Sequence, residues 1–294
     1  MPRSRLCGHP IWLLVCLVFA FGASAGEDEA IAVSVSQSHH MSVPVKVNGQ
    51  ETLSVIDTAA TIALIDVDLL PDIEVSTLEA EIVVQGLSDT TTYAATDIDV
   101  VEVGTETLRA MPAGIITDRG FPSHTTIIPA NAFTQRVIDF DFKQGVIAVY
   151  DRRPALPKQQ AVSRLRYDTI GGLIFIPIKI NGKRGRALID TGANSSFING
   201  AFADLANVRE RPELSQYLVG VDLEETPVRI VRLRRLMLGE YRLKNFDLLA
   251  SDPEMFTALG LEDEPVMLLG LNVLRHFRLQ IDREKREVWL SRKN

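Results

Sequence analysis

The chain has 294 residues, 46% hydrophobic and 6% aromatic, with 31 Lys or Arg against 38 Asp or Glu and a formal net charge of −7. That length suits one large domain or two small ones, each able to bury a core of its own. The acidic balance and the lack of a basic block argue against nucleic acid as a partner.

The chain opens with a leader pattern. Arg3 and Arg5 give it a positive start, residues 11–21 are apolar and uncharged, and Ala23-Ser24-Ala25 is a small-x-small cleavage pattern followed by the acidic Gly26-Glu27-Asp28-Glu29. The apolar run is short for a spanning helix, so residues 1–25 are expected to be a signal peptide cut after Ala25. Its removal takes two of the 31 basic residues and no acid, leaving 29 against 38 and a charge of −9. No later apolar run is long enough to cross a bilayer, so the mature form is not expected to span a membrane. Both cysteines, Cys7 and Cys16, lie in the leader. A cysteine-free exported chain suits a bacterial periplasm better than a disulfide-stabilised extracellular setting. The expected location is periplasmic or secreted.

Beyond the leader the chain repeats itself. Val43-Pro44-Val45-Lys46-Val47-Asn48-Gly49 returns as Ile176-Pro177-Ile178-Lys179-Ile180-Asn181-Gly182, and Val55-Ile56-Asp57-Thr58-Ala59-Ala60 returns in register as Leu188-Ile189-Asp190-Thr191-Gly192-Ala193. Val84-Gln85-Gly86 matches Leu218-Val219-Gly220, and Ile127-Ile128-Pro129-Ala130-Asn131 matches Leu268-Leu269-Gly270-Leu271-Asn272. Matching segments in the same order, separated by loop-sized length changes, argue duplication. The expected organisation is a first lobe over residues 26–151, a linker over 152–162 carrying Pro154 and Pro157, and a second lobe over 163–294.

Each repeat reads as strands. Residues 43–47 and 176–180 are rich in β-branched side chains and end in Asn-Gly, the signal of a tight type I′ hairpin. Residues 147–150 and 287–290 read as closing strands. Short helices are expected at 131–136, 201–206 and 272–277. The Arg- and Lys-bearing stretch 232–248 reads as strands with a solvated face. The predicted fold class is all-β: two lobes related by internal duplication, with few short helices.

The chemistry centres on Asp57 and Asp190. In Ile189-Asp190-Thr191-Gly192-Ala193 an apolar strand delivers a carboxylate to a turn, glycine permits close approach, and alanine keeps the floor small. An Asp-Thr-x-Ala at the equivalent place in both repeats lets two half-folds pair about a pseudo-twofold axis and set two aspartates face to face. Two carboxylates about 3 Å apart cannot both ionise, the situation known for aspartic proteases. Such a pair shares one proton, and it suits hydrolysis of an amide by an activated water. It titrates as a unit, which leaves acid and base unassigned between the two residues.

With these motifs the chain resembles the retropepsin-like aspartic peptidases, in particular bacterial exported members with a duplicated half. The resemblance spans both repeats and rests on Asp190-Thr191-Gly192-Ala193, on Leu268-Leu269-Gly270 and on the Gly171 to Pro177 segment. It implies two retropepsin- or pepsin-like lobes with a substrate cleft between them and Asp57 and Asp190 as the catalytic pair. It further implies Thr58 and Thr191 as braces across the interface, Ala59, Ala60, Gly192 and Ala193 as turn and floor of the site, and Gly86 and Gly220 as tips of covering flaps. It implies no metal and no organic cofactor. The partner it implies is a protein or peptide substrate bound in extended form. A monomer is favoured and a homodimer possible.

Two positions depart from the family pattern: Ala59 stands in place of glycine, and Pro129 ends the first apolar-apolar-Gly group. A methyl at 59 would strain the turn if φ there were positive, and Pro129 removes a backbone donor. These departures keep two other readings open: a peptide-binding pseudo-peptidase, and a peptidase active as a homodimer through Asp190. A chance aspartate pair in a structural protein fits the repeat poorly. His39 and His40 lack partners for a metal site. His124 and His276 are isolated. Ser195 and Ser196 lack both a nucleophile-elbow motif and a histidine partner.

Overall fold

The computed structural model describes residues 31–32, 34–35, 41–87, 90–117, 125–154, 161–219 and 225–292, so the predicted leader, His39, His40, His124, Gly220 and part of the predicted linker lie outside the described residues. The chain is mostly strand. Among the described residues it forms two eight-stranded sheets, one in each half, and a third sheet of six strands shared by both.

The two eight-stranded sheets have the same order. In the first half it runs Ser34–Val35, Met41–Val47, Gln50–Asp57, Thr125–Pro129, Ala63–Asp66, Glu106–Ile116, Thr90–Val103, Ser76–Gln85. In the second it runs Asp168–Ile170, Leu173–Ile180, Lys183–Ile189, Val266–Leu269, Phe197–Ile198, Tyr241–Ala250, Glu225–Leu238, Arg209–Val219. Both predicted Asn-Gly turns form. Asn48 and Gly49 have φ of 47° and 89°, and Asn181 and Gly182 have 49° and 92°, the left-handed pair that a type I′ hairpin needs. Each sheet curls until its second strand also meets the long seventh one. Lys46 pairs with Glu102, and Lys179 with Met237.

Burial follows the pleat. Along Leu173–Ile180, Phe175, Ile176, Ile178 and Ile180 are 0–3% exposed, while Pro177 and Lys179 face out. Each buried Ile or Phe stabilises the fold by about 1.5–3 kcal/mol. The stretch expected to carry a solvated face does so: Val231, Leu233, Leu236 and Leu238 are buried, and Arg232 lies 3.0 Å from Asp247 on the facing strand.

The shared sheet runs Ile31–Ala32, Val146–Tyr150, Val137–Asp141, Arg278–Asp282, Glu287–Ser291, Val162–Arg166, antiparallel throughout. At its centre Asp139 pairs with Gln280, its own counterpart in the repeat, so the pseudo-twofold axis passes between them. Arg278 donates to Asp139 through Nε at 2.9 Å and Nη2 at 2.6 Å, and Gln280 Nε2 adds a bond of 2.7 Å. Arg136 donates to both oxygens of Asp282 at 3.0 and 2.9 Å. Two-pronged pairs of this kind fix geometry as well as adding energy. They lock the halves in one relative orientation.

The helices match expectation in the second half, at Gly200–Leu205 and Leu271–Leu274. In the first half, where residues 131–136 were expected to be helical, only a 3-10 turn forms at Ala130–Ala132. Pro129 stands at its N-cap, with no side chain capping the turn. A 3-10 turn at Val67–Asp72 and a helix at Glu254–Ala258 were not anticipated.

Candidate active site

Each aspartate sits where a buried strand ends. Asp57 closes Gln50–Asp57 after the buried Ser54, Val55 and Ile56, and Asp190 follows Lys183–Ile189 after the fully buried Ala187, Leu188 and Ile189. The parallel neighbours set their height. Asp57 lies in register with Pro129, and the Asp190 N–H donates to the Leu269 carbonyl at 3.1 Å.

The threonines cross between the halves. Thr58 Oγ1 donates to the Ile189 carbonyl at 2.8 Å and accepts the Thr191 N–H at 3.0 Å. Reciprocally, Thr191 Oγ1 donates to the Ile56 carbonyl at 2.7 Å and accepts the Thr58 N–H at 3.1 Å. Both side chains are buried. Each donates and accepts across the axis, so deleting one hydroxyl strands a buried N–H and a buried C=O, at about 1–3 kcal/mol for each group left unmade.

This brace brings Asp57 and Asp190 into one site. Asp57 Oδ1 accepts the Ala59 N–H at 2.7 Å, and Asp190 Oδ1 accepts the N–H groups of Gly192 and Ala193 at 2.9 and 2.8 Å. The amides of Ala60 and Gly192, the latter from the opposite half, also act on Asp57 by favouring its charged form. Gly192 comes so close that a Cβ on it would sit 2.4 Å from Asp57 Oδ2 and 2.6 Å from its Cγ. The glycine is there for room, because its φ is not positive. The same observation corrects the concern over Ala59. Its φ is not positive either, so the methyl costs no backbone strain, and it packs against the apolar cluster that includes Leu173, Phe175, Phe197 and Phe256.

Burial pushes the Asp190 carboxyl up to about 8, aided by the charge of Asp57 and opposed by the Ala193 and Gly192 amides. Burial also raises Asp57 above its ordinary value, opposed by the amides of Ala59, Ala60 and Gly192. The pair can therefore hold one proton near neutrality, which is the state needed to activate water and polarise a carbonyl together.

The two flap expectations fare differently. Gly86 lies at the tip between Ser76–Gln85 and Thr90–Val103, and the adjoining Leu87 reaches the second half. Leu87 packs on the Phe175–Phe256 cluster, and its carbonyl accepts the Met255 N–H at 3.3 Å. Gly220 falls outside the described residues, between Arg209–Val219 and Glu225–Leu238. Sequence reasoning missed Leu87 and Met255. The apolar residue beside the flap glycine was the available signal. Ser196 is structural: its hydroxyl accepts the Gly270 N–H at 2.8 Å and donates to Asn272 Oδ1 at 2.6 Å.

A family model described as aspartyl protease matches residues 43–128 and again residues 176–273, one stretch in each half and together more than half of the chain. A search of curated proteins found no match.

Proposed function

The chain belongs to the aspartyl protease family, and from that premise we propose that it is an endopeptidase in which Asp57 and Asp190 of the same chain activate one water. The observation that carries this reading is the crosswise Thr58–Thr191 brace, with Gly192 of one half against the Asp57 carboxylate of the other.

In this reading the pair holds one proton at rest: Asp57 carries the negative charge, and Asp190, pushed up to about 8, keeps the proton. A peptide lies extended between the halves beneath the Gly86 tip, its scissile carbonyl over the pair. Asp57 takes a proton from the water as the water oxygen bonds to the carbonyl carbon. Asp190 donates to the carbonyl oxygen. Proton transfer to the amide nitrogen then lets the C–N bond break, releasing a carboxylic acid and an amine and returning the pair to one proton. The substrates we propose are unfolded proteins or peptides of the periplasm, met by the chain after loss of residues 1–25, and the working form is a monomer.

The test is cleavage of an unfolded protein digest by purified residues 26–294, read by mass spectrometry from about pH 4 to 9. The rate is expected to be bell-shaped. It falls on the acid side as Asp57 protonates and on the alkaline side near pH 8 as Asp190 loses its proton. A folded protein that cuts at no pH would overturn the reading. An alkaline limb set by the substrate rather than the enzyme would overturn the pH assignment.

A further inference from the structure

The two halves support their aspartates unequally. In the second half the turn after Val266–Leu269 is stitched to the loop after Asp190: the Leu271 N–H donates to the Ala193 carbonyl at 2.8 Å and the Asn272 N–H to the Asn194 carbonyl at 3.0 Å. Ser196 ties the same turn through Gly270 and Asn272. Gly270 is packed so tightly there that a Cβ would meet the Ser195 carbonyl oxygen at 2.6 Å.

By the repeat, Ala63 stands in the first half where the second has Ser196, and Pro129 where it has Gly270. Ala63 offers no hydroxyl and Pro129 no N–H. Only a 3-10 turn follows, at Ala130–Ala132, beside the residue that is in register with Asp57.

Arg283 of the second half reaches that turn. Its guanidinium donates to the carbonyls of Ala130 and Phe133, and to that of Gln135 at 3.3 Å, while its own N–H donates to the Arg136 carbonyl at 3.0 Å. No carboxylate pairs with it among the described residues, and burial pulls its pKa below the ordinary arginine value. A partly buried cation without a counter-ion is costly, so main-chain carbonyls must repay it. The repeat counterpart of Arg283 is Phe142, which stacks on Phe140 at 5.9 Å. The arm therefore runs one way, from the self-supported half to the half that lost its own ties.

We infer that Arg283 is a positioning residue for Asp57, replacing across the axis the serine and glycine contacts that hold the Asp190 loop. The inference rests on the proposed peptidase reading, and its test includes a measurement that does not need activity. In the Arg283→Met protein, kcat is expected to fall at least tenfold with KM within twofold. Amide hydrogen exchange at Ala59 and Ala60 is expected to speed up at least tenfold, with Gly192 and Ala193 unchanged. Adding Ala63→Ser and Pro129→Gly, which rebuild the second half's ties, should restore both readouts. If Arg283→Met itself fails to fold, the triple variant is measured directly, and near-parent exchange at Ala59 and Ala60 is the expected result. Unchanged exchange at Ala59 and Ala60 in a folded Arg283→Met protein would overturn the inference. So would an equal rise at Gly192 and Ala193, which would mark general loosening. Faster exchange at Ala59 and Ala60 in Arg283→Met, beside a parent protein that never cuts, would sink the peptidase reading and leave the positioning role standing.

Discussion

Either Asp57→Asn or Asp190→Asn alone is expected to abolish peptide cleavage, with at least about a 10³-fold loss in kcat. An asparagine can neither take the water proton nor share one, and the pair acts as a unit. Both aspartates come from one chain and meet through the Thr58–Thr191 brace, so neither has a spare. Loss of activity in Asp190→Asn with survival in Asp57→Asn would instead mean pairing of two Asp190 residues between chains. Stability should move the other way. The folded Asp190 keeps its proton up to about pH 8, whereas the unfolded carboxyl loses it near 3.8. Between those values the folded state binds more protons than the unfolded one, so stability falls as pH rises through that window, and at pH 7 the acid weakens the fold. The amide is neutral throughout. The D190N protein is expected to melt higher than the parent at pH 7 and to lose less of its melting temperature between pH 4 and 7. A D190N protein that melts lower than the parent at pH 7 and at pH 4 alike would show that the carboxyl is not strained by burial.

Gly192→Ala should be nearly as damaging, for a steric reason. Its Cβ would fall 2.4 Å from Asp57 Oδ2, far inside contact distance, and the struck group is the carboxylate itself. Either Asp57 rotates off its amide donors or the Asp190 loop backs away from it. Each breaks the alignment on which the shared proton depends, and small misplacements at a reacting centre cost about 10²-fold. The expected result is at least that loss in kcat with the protein still folded. The mirror change, Ala59→Gly, removes a methyl that packs on the second half's apolar cluster without backbone strain, and it should leave activity within a few-fold. Full activity in Gly192→Ala would place the Asp57 carboxylate elsewhere during catalysis.

Much of this was legible in the chain because it is written twice. One Asp-Thr is weak evidence, but Asp57-Thr58 and Asp190-Thr191 at matching places in two repeats predict the axis, and the axis predicts the brace. The Asn-Gly turns were legible because their φ values are local demands. What stayed hidden is tertiary. That Gly192 serves space and not φ depends on an aspartate 135 residues away in sequence. Arg283 looks like one of many surface arginines until its carbonyl partners come into view. The helix expected at 131–136 gave way to a 3-10 turn because Pro129 and the lost serine remove the contacts that stabilise its counterpart. The helix at Glu254–Ala258 is too short for a periodic signal, and its place under Leu87 is set by folding of the opposite half.

The shared six-stranded sheet also bears on how the molecule comes apart. Val137–Asp141 and Arg278–Asp282 are each other's neighbours, so loss of either half turns the other's innermost strand into a bare edge with open N–H and C=O groups. The same loss leaves Asp139 or Arg278 without its partner. Neither half can then melt alone and leave the other intact, and calorimetry should show one transition for the whole body rather than two. Two separated transitions would mean the seam is weaker than its ion pairs suggest. A duplicated chain joined this way has given up the independence of its copies, since each has become the missing strand of the other.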